Sequence, residues 1–296
     1  MSAVRVIEKV ARHVALGLRF WDVAQGSLAI DGLFVEIFLR ANPGARTVVR
    51  SNLSGVYVAH GVPGLRDFEF SQADPEILWG TVMRAYRVEV RDPLGRFLPI
   101  AFDADLPVRG LYSWRAPWLS PPQPFTFPGE GGSPPQLMIE RVPLFSAPSR
   151  PVPEPLAVVY AQMREQGSAR DAAWGLLGVS VDGVARGLGL ADHRGRVAVM
   201  FPYPEPPRIN LASPPEARND FTWQVSLSAF LQTASPQTDA PPIADLADVF
   251  ASLSTPRDVI ESSISPASPL RLTYREALTA RTAGTTGADA SYLFFS

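Results

Sequence analysis

The sequence predicts a mainly β chain: two tandem small antiparallel β-sandwich modules joined by a proline-rich connector, with one short helix in the second module. Three observations carry this. A turn signature recurs as Asn52-x-x-Gly55, Asp92-x-x-Gly95-Arg96 and Asp192-x-x-Gly195-Arg196, each followed by an alternating apolar run. Asp or Asn at the first position hydrogen-bonds its own backbone, and Gly at the fourth takes the positive φ that closes a hairpin with a bulge. Apolar residues alternate with period two beside these turns, the pattern of half-buried strands. The 30 prolines punctuate this pattern. Together with the 22 glycines they stay below the roughly 25–30% that marks low-complexity chains.

The first module is expected over residues 1–112. A largely apolar run, 14–20, leads to Asp31-Gly32. Leu33, Val35, Ile37 and Leu39 then alternate with Phe34, Glu36, Phe38 and Arg40, which reads as a strand. Residues 47–50, the Asn52 turn and residues 55–60 form a hairpin. Tyr86, Val88 and Val90 alternate with Arg87, Glu89 and Arg91 ahead of the Asp92 turn, and residues 97–102 bring the chain back. About six strands with closely spaced turns suit a small sandwich.

Residues 113–155 form the connector. Its prolines remove the backbone donors that a sheet ladder needs, yet Phe125, Phe127, Leu137, Met138, Ile139 and Phe145 are too apolar for a free linker. The segment is expected to lie against the modules or against a neighbouring chain.

The second module, 156–296, repeats the plan. Runs at 157–163 and 174–181, an Asp182-Gly183 turn, the Asp192 turn and a run at 197–201 follow in the order of the first module, as in a duplicated unit. Residues 221–230 alternate again, and 270–274 with 291–295 complete the sheet. The helix is expected near 243–253. Ile243, Leu246, Ala247, Val249, Phe250 and Leu253 share one face, Asp245 and Asp248 lie opposite, and Pro256 ends the pattern.

Composition narrows function. A net charge of −2 and a pI of about 6.0 provide no excess of positive charge for phosphates, so nucleic acid is not an expected partner. No apolar run reaches the roughly 18 residues of a membrane span. The run 14–23 is interrupted by Arg19 and Asp22 and lacks a cleavage site, so it does not read as a secretory signal. The absence of Cys excludes disulfides and thiolate sites and suits the cytoplasm.

The candidates for chemistry are few. His13, His60 and His193 are the imidazoles, and none is at metal-ligand spacing from another. His193 reads as an exposed turn residue and His60 as a half-buried structural one. Asp103-Ala104-Asp105 has the two-carboxylate pattern of a divalent-cation site, but an acidic strand end before Pro107 explains it as well. Gly284 and Gly287 bound a small-residue turn that lacks a phosphate-loop lysine. No cofactor, metal or catalytic residue is expected. The aromatics are more informative: Trp114, Arg115 and Trp118 beside prolines, with Phe125 and Phe127, form a candidate protein interface. Sealing the first sandwich is the alternative role for Trp114 and Trp118.

The first module, through RFWDVAQG (19–26), DGLFVEIF (31–38), SGVYVAHGVPGLRDFEF (54–70) and VEVRDPLGRFLPIAFDADLP (88–107), resembles the transthyretin-like sandwiches called carboxypeptidase regulatory-like domains. The second, through LADHRGRVAVMFPYPEP (190–206), is similar to a divergent copy. The arrangement also resembles structural accessory proteins of extracellular contractile injection systems, which are phage-tail-like particles. That resemblance implies a non-enzymatic part at the cap or baseplate end. Its partners would be other particle proteins and further copies of itself in a symmetric oligomer, assembled in the cytoplasm. The alternative is a carbohydrate- or peptide-binding sandwich module.

Overall fold

The computed structural model describes residues 12–72, 83–116, 137–139, 141–167, 170–205, 221–231, 242–260 and 269–296, with the backbone alone for 114–116 and 137–139. In chain order the first strands are β1 (Leu16–Leu18), β2 (Phe20–Asp22), β3 (Ser27–Leu28), β4 (Phe34–Leu39), β5 (Asn42–Ser51) and β6 (Tyr57–Ala59). A helical turn, α1 (Arg66–Glu69), precedes β7 (Arg84–Arg91) and β8 (Ile100–Leu106). The connector holds β9 (Trp114–Ala116), β10 (Leu137–Ile139) and β11 (Val142–Leu144). There follow β12 (Leu156–Glu165), β13 (Leu176–Val181), β14 (Val184–Leu190), β15 (Arg196–Pro202), β16 (Thr222–Phe230) and β17 (Ala244–Asp245). The helix α2 (Leu246–Ala251) leads to β18 (Pro256–Arg257), β19 (Val259–Ile260), β20 (Leu270–Thr273), β21 (Leu278–Ala280) and β22 (Leu293–Phe295). The chain is mainly β and is built of sandwiches, as the alternation predicts.

In the first sandwich a seven-stranded sheet, β1-β6-β5-β4-β7-β8-β17, packs on the three-stranded sheet β11-β2-β3. The run 14–20 is not one strand. Arg19 divides it, so that β1 pairs with β6 in the large sheet while β2 crosses to the small one. The inward positions follow the period of two: Val35 and Ile37 of β4, and Tyr86, Val88 and Val90 of β7, are all essentially buried. On the outer face Glu36 and Glu89 are cross-strand neighbours, and Arg46 and Arg91 bridge them at 2.9–3.3 Å. That offsets a like-charge pair that would otherwise destabilise the sheet.

Part of the connector is built into the fold. β11 runs parallel to β2, its three residues are buried, and Phe145 and Ala147 continue into the core. Arg150 closes the arrangement, 2.6 Å from Asp22, and donates to Ser146 Oγ at 2.9 Å. Asp22 also accepts from the Ala24 and Gln25 amides, so the buried pair is satisfied on both sides.

The second sandwich sets β15-β12-β22-β19 against β14-β13-β16-β18, with β21 on β12 and β20 on β16. Residues 270–274 and 291–295, expected in one sheet, fall in different ones. Strand order also differs from the first half. The β14-β13-β16 layer is apolar on both faces. Leu177, Val179 and Val181 face the second core, whereas Leu176, Leu188, Leu190 and Phe230 belong to the core of the first sandwich. This explains why LLGVSV reads as a continuous apolar run instead of an alternating one. Gly187 and Gly189 let β14 approach β15, since a Cβ on either would lie 2.8–2.9 Å from Val199.

The expected helix is present but shorter, with Ser252–Ser254 continuing as a 3-10 turn. Asp245 is its N-cap, accepting from the Ala247 amide at 2.8 Å, instead of part of a polar face. Ala247 is exposed. The helix packs on the first half: β17 extends the β8 edge in parallel, and Leu246, Val249 and Leu253 join that core.

Candidate functional site

The signature turns are the best-built polar devices in the chain. In each, the fourth-position glycine has φ of +67° to +73° and donates to the carbonyl of the first residue at 3.0 Å. The first side chain then accepts from the amides two and four residues on: Asn52 from Ser54 and Val56, Asp92 from Leu94 and Arg96, Asp192 from Arg194 and Arg196. The trailing arginine completes the clamp, since Arg96 Nε and Arg196 Nε lie 3.0 and 2.9 Å from the Asp92 and Asp192 carboxylates. Asp92 side-chain hydrogen bonding, ahead of the opposing cost of burial, raises the pKa of Arg96. The Asn52 and Asp92 turns close hairpins. The Asp192 turn does not: it carries the chain from β14 in one sheet to β15 in the other.

Asp103 is held between two guanidiniums, Arg40 at 2.9 Å and Arg87 at 3.1 Å, and Arg87 also pairs with Asp245. Burial works to lower the Arg87 pKa, but the hydrogen bonds to Asp245 and Asp103 outweigh it and the net shift is upward. Asp105 is exposed. Among the described residues no group of three or more His, Asp or Glu side chains gathers within metal-binding reach. His193 is exposed, as its turn position predicts. His60 is exposed as well, not half-buried, because it follows the last paired residue of β6. His13 is half-buried, with its ring 6.0 Å from that of Phe68.

Of the predicted interface residues, Trp114 and Arg115 lie on β9, opposite Ile139 and Met138 of β10. Trp118, Phe125 and Phe127 lie outside the described residues.

Two features were not read from the sequence. At one end of the second sandwich Tyr203, Phe221, Trp223 and Tyr274 form a chain of ring contacts, with centroids 4.9–6.4 Å apart. The other is a cleft of about 680 Å³ where the Asp192 turn and the middle of β12 meet the loops at 98–99 and 147–149. Trp174, Tyr160, Gln162, His193 and Arg196 contribute to its wall. Trp174 holds φ of +59°, a conformation that costs a bulky side chain of order 1–3 kcal/mol. The only signal for the cleft in the sequence was the Asp192 turn itself. Its other wall comes from residues distant along the chain.

No family model matches the chain, and no curated protein matches it. Among solved structures it is similar to a C-terminal fragment of the pilus adhesin SpaC from Lactobacillus rhamnosus GG, at 11% identity and a TM-score of 0.20, with 95% of each chain covered. So low a TM-score carries nothing from that protein to this one.

Proposed function

We propose that the chain is a non-enzymatic structural component of a contractile, phage-tail-like injection particle, seated at its cap or baseplate end. Its partners are other particle proteins and further copies of itself in a symmetric oligomer, assembled in the cytoplasm. The resemblance of residues 19–107 to accessory sandwiches of such particles motivates the reading. The observation that carries it is what the charged side chains are used for. Asp22, Asp92, Asp103, Asp192 and Asp245 are all tied to arginines or backbone amides that hold elements together. Groups committed in this way make a rigid building block.

Contact surface is available for assembly. Ile30, Leu53 and Leu94 are 54%, 105% and 68% exposed on three loops at one end of the first sandwich. From the sequence, Trp114, Arg115, Trp118, Phe125 and Phe127 are proposed as further contact residues. A tagged copy at the native locus should sediment from a lysate with megadalton particles that contain sheath and tube proteins. Leu53→Asp with Leu94→Asp should release it without lowering Tm. Recovery of the unmodified protein only in the soluble fraction would sink the proposal. A second reading, a carbohydrate- or peptide-binding module, is favoured by the cleft.

A further inference from the structure

We propose that the cleft beside the Asp192 turn binds a neutral saccharide; this deepens the second reading and stands or falls independently of particle co-sedimentation. Its volume of about 680 Å³ lies inside the range of small-molecule sites, roughly 300–1,000 Å³. Charge narrows the ligand. Apart from His193, the ionisable acid and base groups on the described wall are Asp192 and Arg196, and these neutralise each other at 2.7 Å. Apart from that imidazole, an ionic ligand would meet no uncompensated partner and would lose solvation on binding. β12, which supplies Tyr160 and Gln162, has β15 on one edge and β21 and β22 on the other, so this strand offers a peptide no edge. Among the described residues β15 and β21 pair with β12 alone, and the peptide arm of the titration below addresses their outer edges.

What the wall offers is the rings of Trp174 and Tyr160, apolar patches, and groups that both donate and accept. The patches come from Pro99 and Pro148, and the amide of Gln162 stands with the hydroxyls of Ser149 and Ser291. A pyranose has the complementary surface: C–H faces that stack on rings and proline, and a rim of hydroxyls. Trp174 supplies the second observation. Glycine would hold φ of +59° without strain, and the chain places there instead the largest side chain available. The indole packs against the first core as well as lining the cleft, so the strained backbone is kept for a side chain that serves both.

The test is isothermal titration of the full chain with cello-, chito-, manno-, xylo- and maltohexaose, and with a proline-rich decapeptide as competitor class. Ser149→Trp, on an exposed turn, should fill the cleft, and Gln162→Ala should remove an amide. At least one hexasaccharide should bind, and both variants should weaken it tenfold or more with Tm unchanged. Trp174→Gly should weaken it at least as much. No binding across the five sugars, binding that both variants leave intact, or binding of the peptide alone would overturn the assignment.

Discussion

Asp22 and Arg150 are 2% and 6% exposed, and each is the ionic partner of the other. Removing one partner strands a buried charge, so Asp22→Ala should cost about 3–5 kcal/mol in urea unfolding, whereas Asp22→Asn with Arg150→Met should recover much of that. Neither residue stood out in the sequence. Asp22 looked like an interruption of an apolar run, and its partner lies 128 positions away. Tyr112 makes a pH-dependent contribution. Burial, and then the charges of Asp105 and Asp103, pushes its phenol up to about 12, and the hydroxyl donates to the Asp103 carbonyl at 3.0 Å. The unfolded phenol ionises near 10. Between about pH 10 and 12 the folded state thus holds more protons, and stability should fall as pH rises. Tyr112→Phe should cost about 1 kcal/mol at neutral pH and flatten that alkaline decline, as followed by unfolding at a series of pH values. Burial raises Tyr57 and Tyr86 in the same direction.

Among the elements, the signature turns were legible because the side-chain partners of Asn52, Asp92 and Asp192 lie within five residues, so the Asx side chain and the glycine sit where local hydrogen bonding requires them. Which strands they join was not legible. The Asp192 turn has the same local chemistry as the Asp92 turn yet spans two sheets. The close passage of β14 over β15 that results depends on Gly187 and Gly189. Gly189→Val should separate the strands and lower stability by about 1–3 kcal/mol, read as a fall in Tm, because even a Cβ there would meet Val197 and Val199 at 2.9 Å. Exposed Gly183, whose Cβ would meet nothing within 4 Å, is the control site, with φ of +77° limiting the control to Asn. The helix shows the same division. Its apolar face was readable, while its place on β8 rests on the pairing of Ala244 with Ile100 across the chain.

At the scale of the whole molecule, the first core draws Leu176, Leu188, Leu190, Phe230, Leu246 and Val249 from the second half, and Ala24 packs with Val158 and Met200 on the outer face of β12 and β15. Cores shared this way should melt together. Calorimetry of the full chain should give one transition with equal calorimetric and van't Hoff enthalpies, and residues 1–155 alone should bind a hydrophobic dye and lack dispersed amide resonances. Two separable transitions, or a well-folded fragment, would contradict the shared core. The cleft belongs to this scale too, since its walls meet only when the two halves are packed. By itself the sequence determined the alternating strands such as β4 and β7, the signature turns, and Leu246, Val249 and Leu253 as the buried side of the helix, because period-two burial and Asx-glycine hydrogen bonding act between near neighbours. The tertiary structure alone decided which sheets those strands enter, that Arg150 reaches Asp22, and that the Asp192 turn borders a cleft. Those depend on contacts between distant residues, which neither composition nor local spacing encodes.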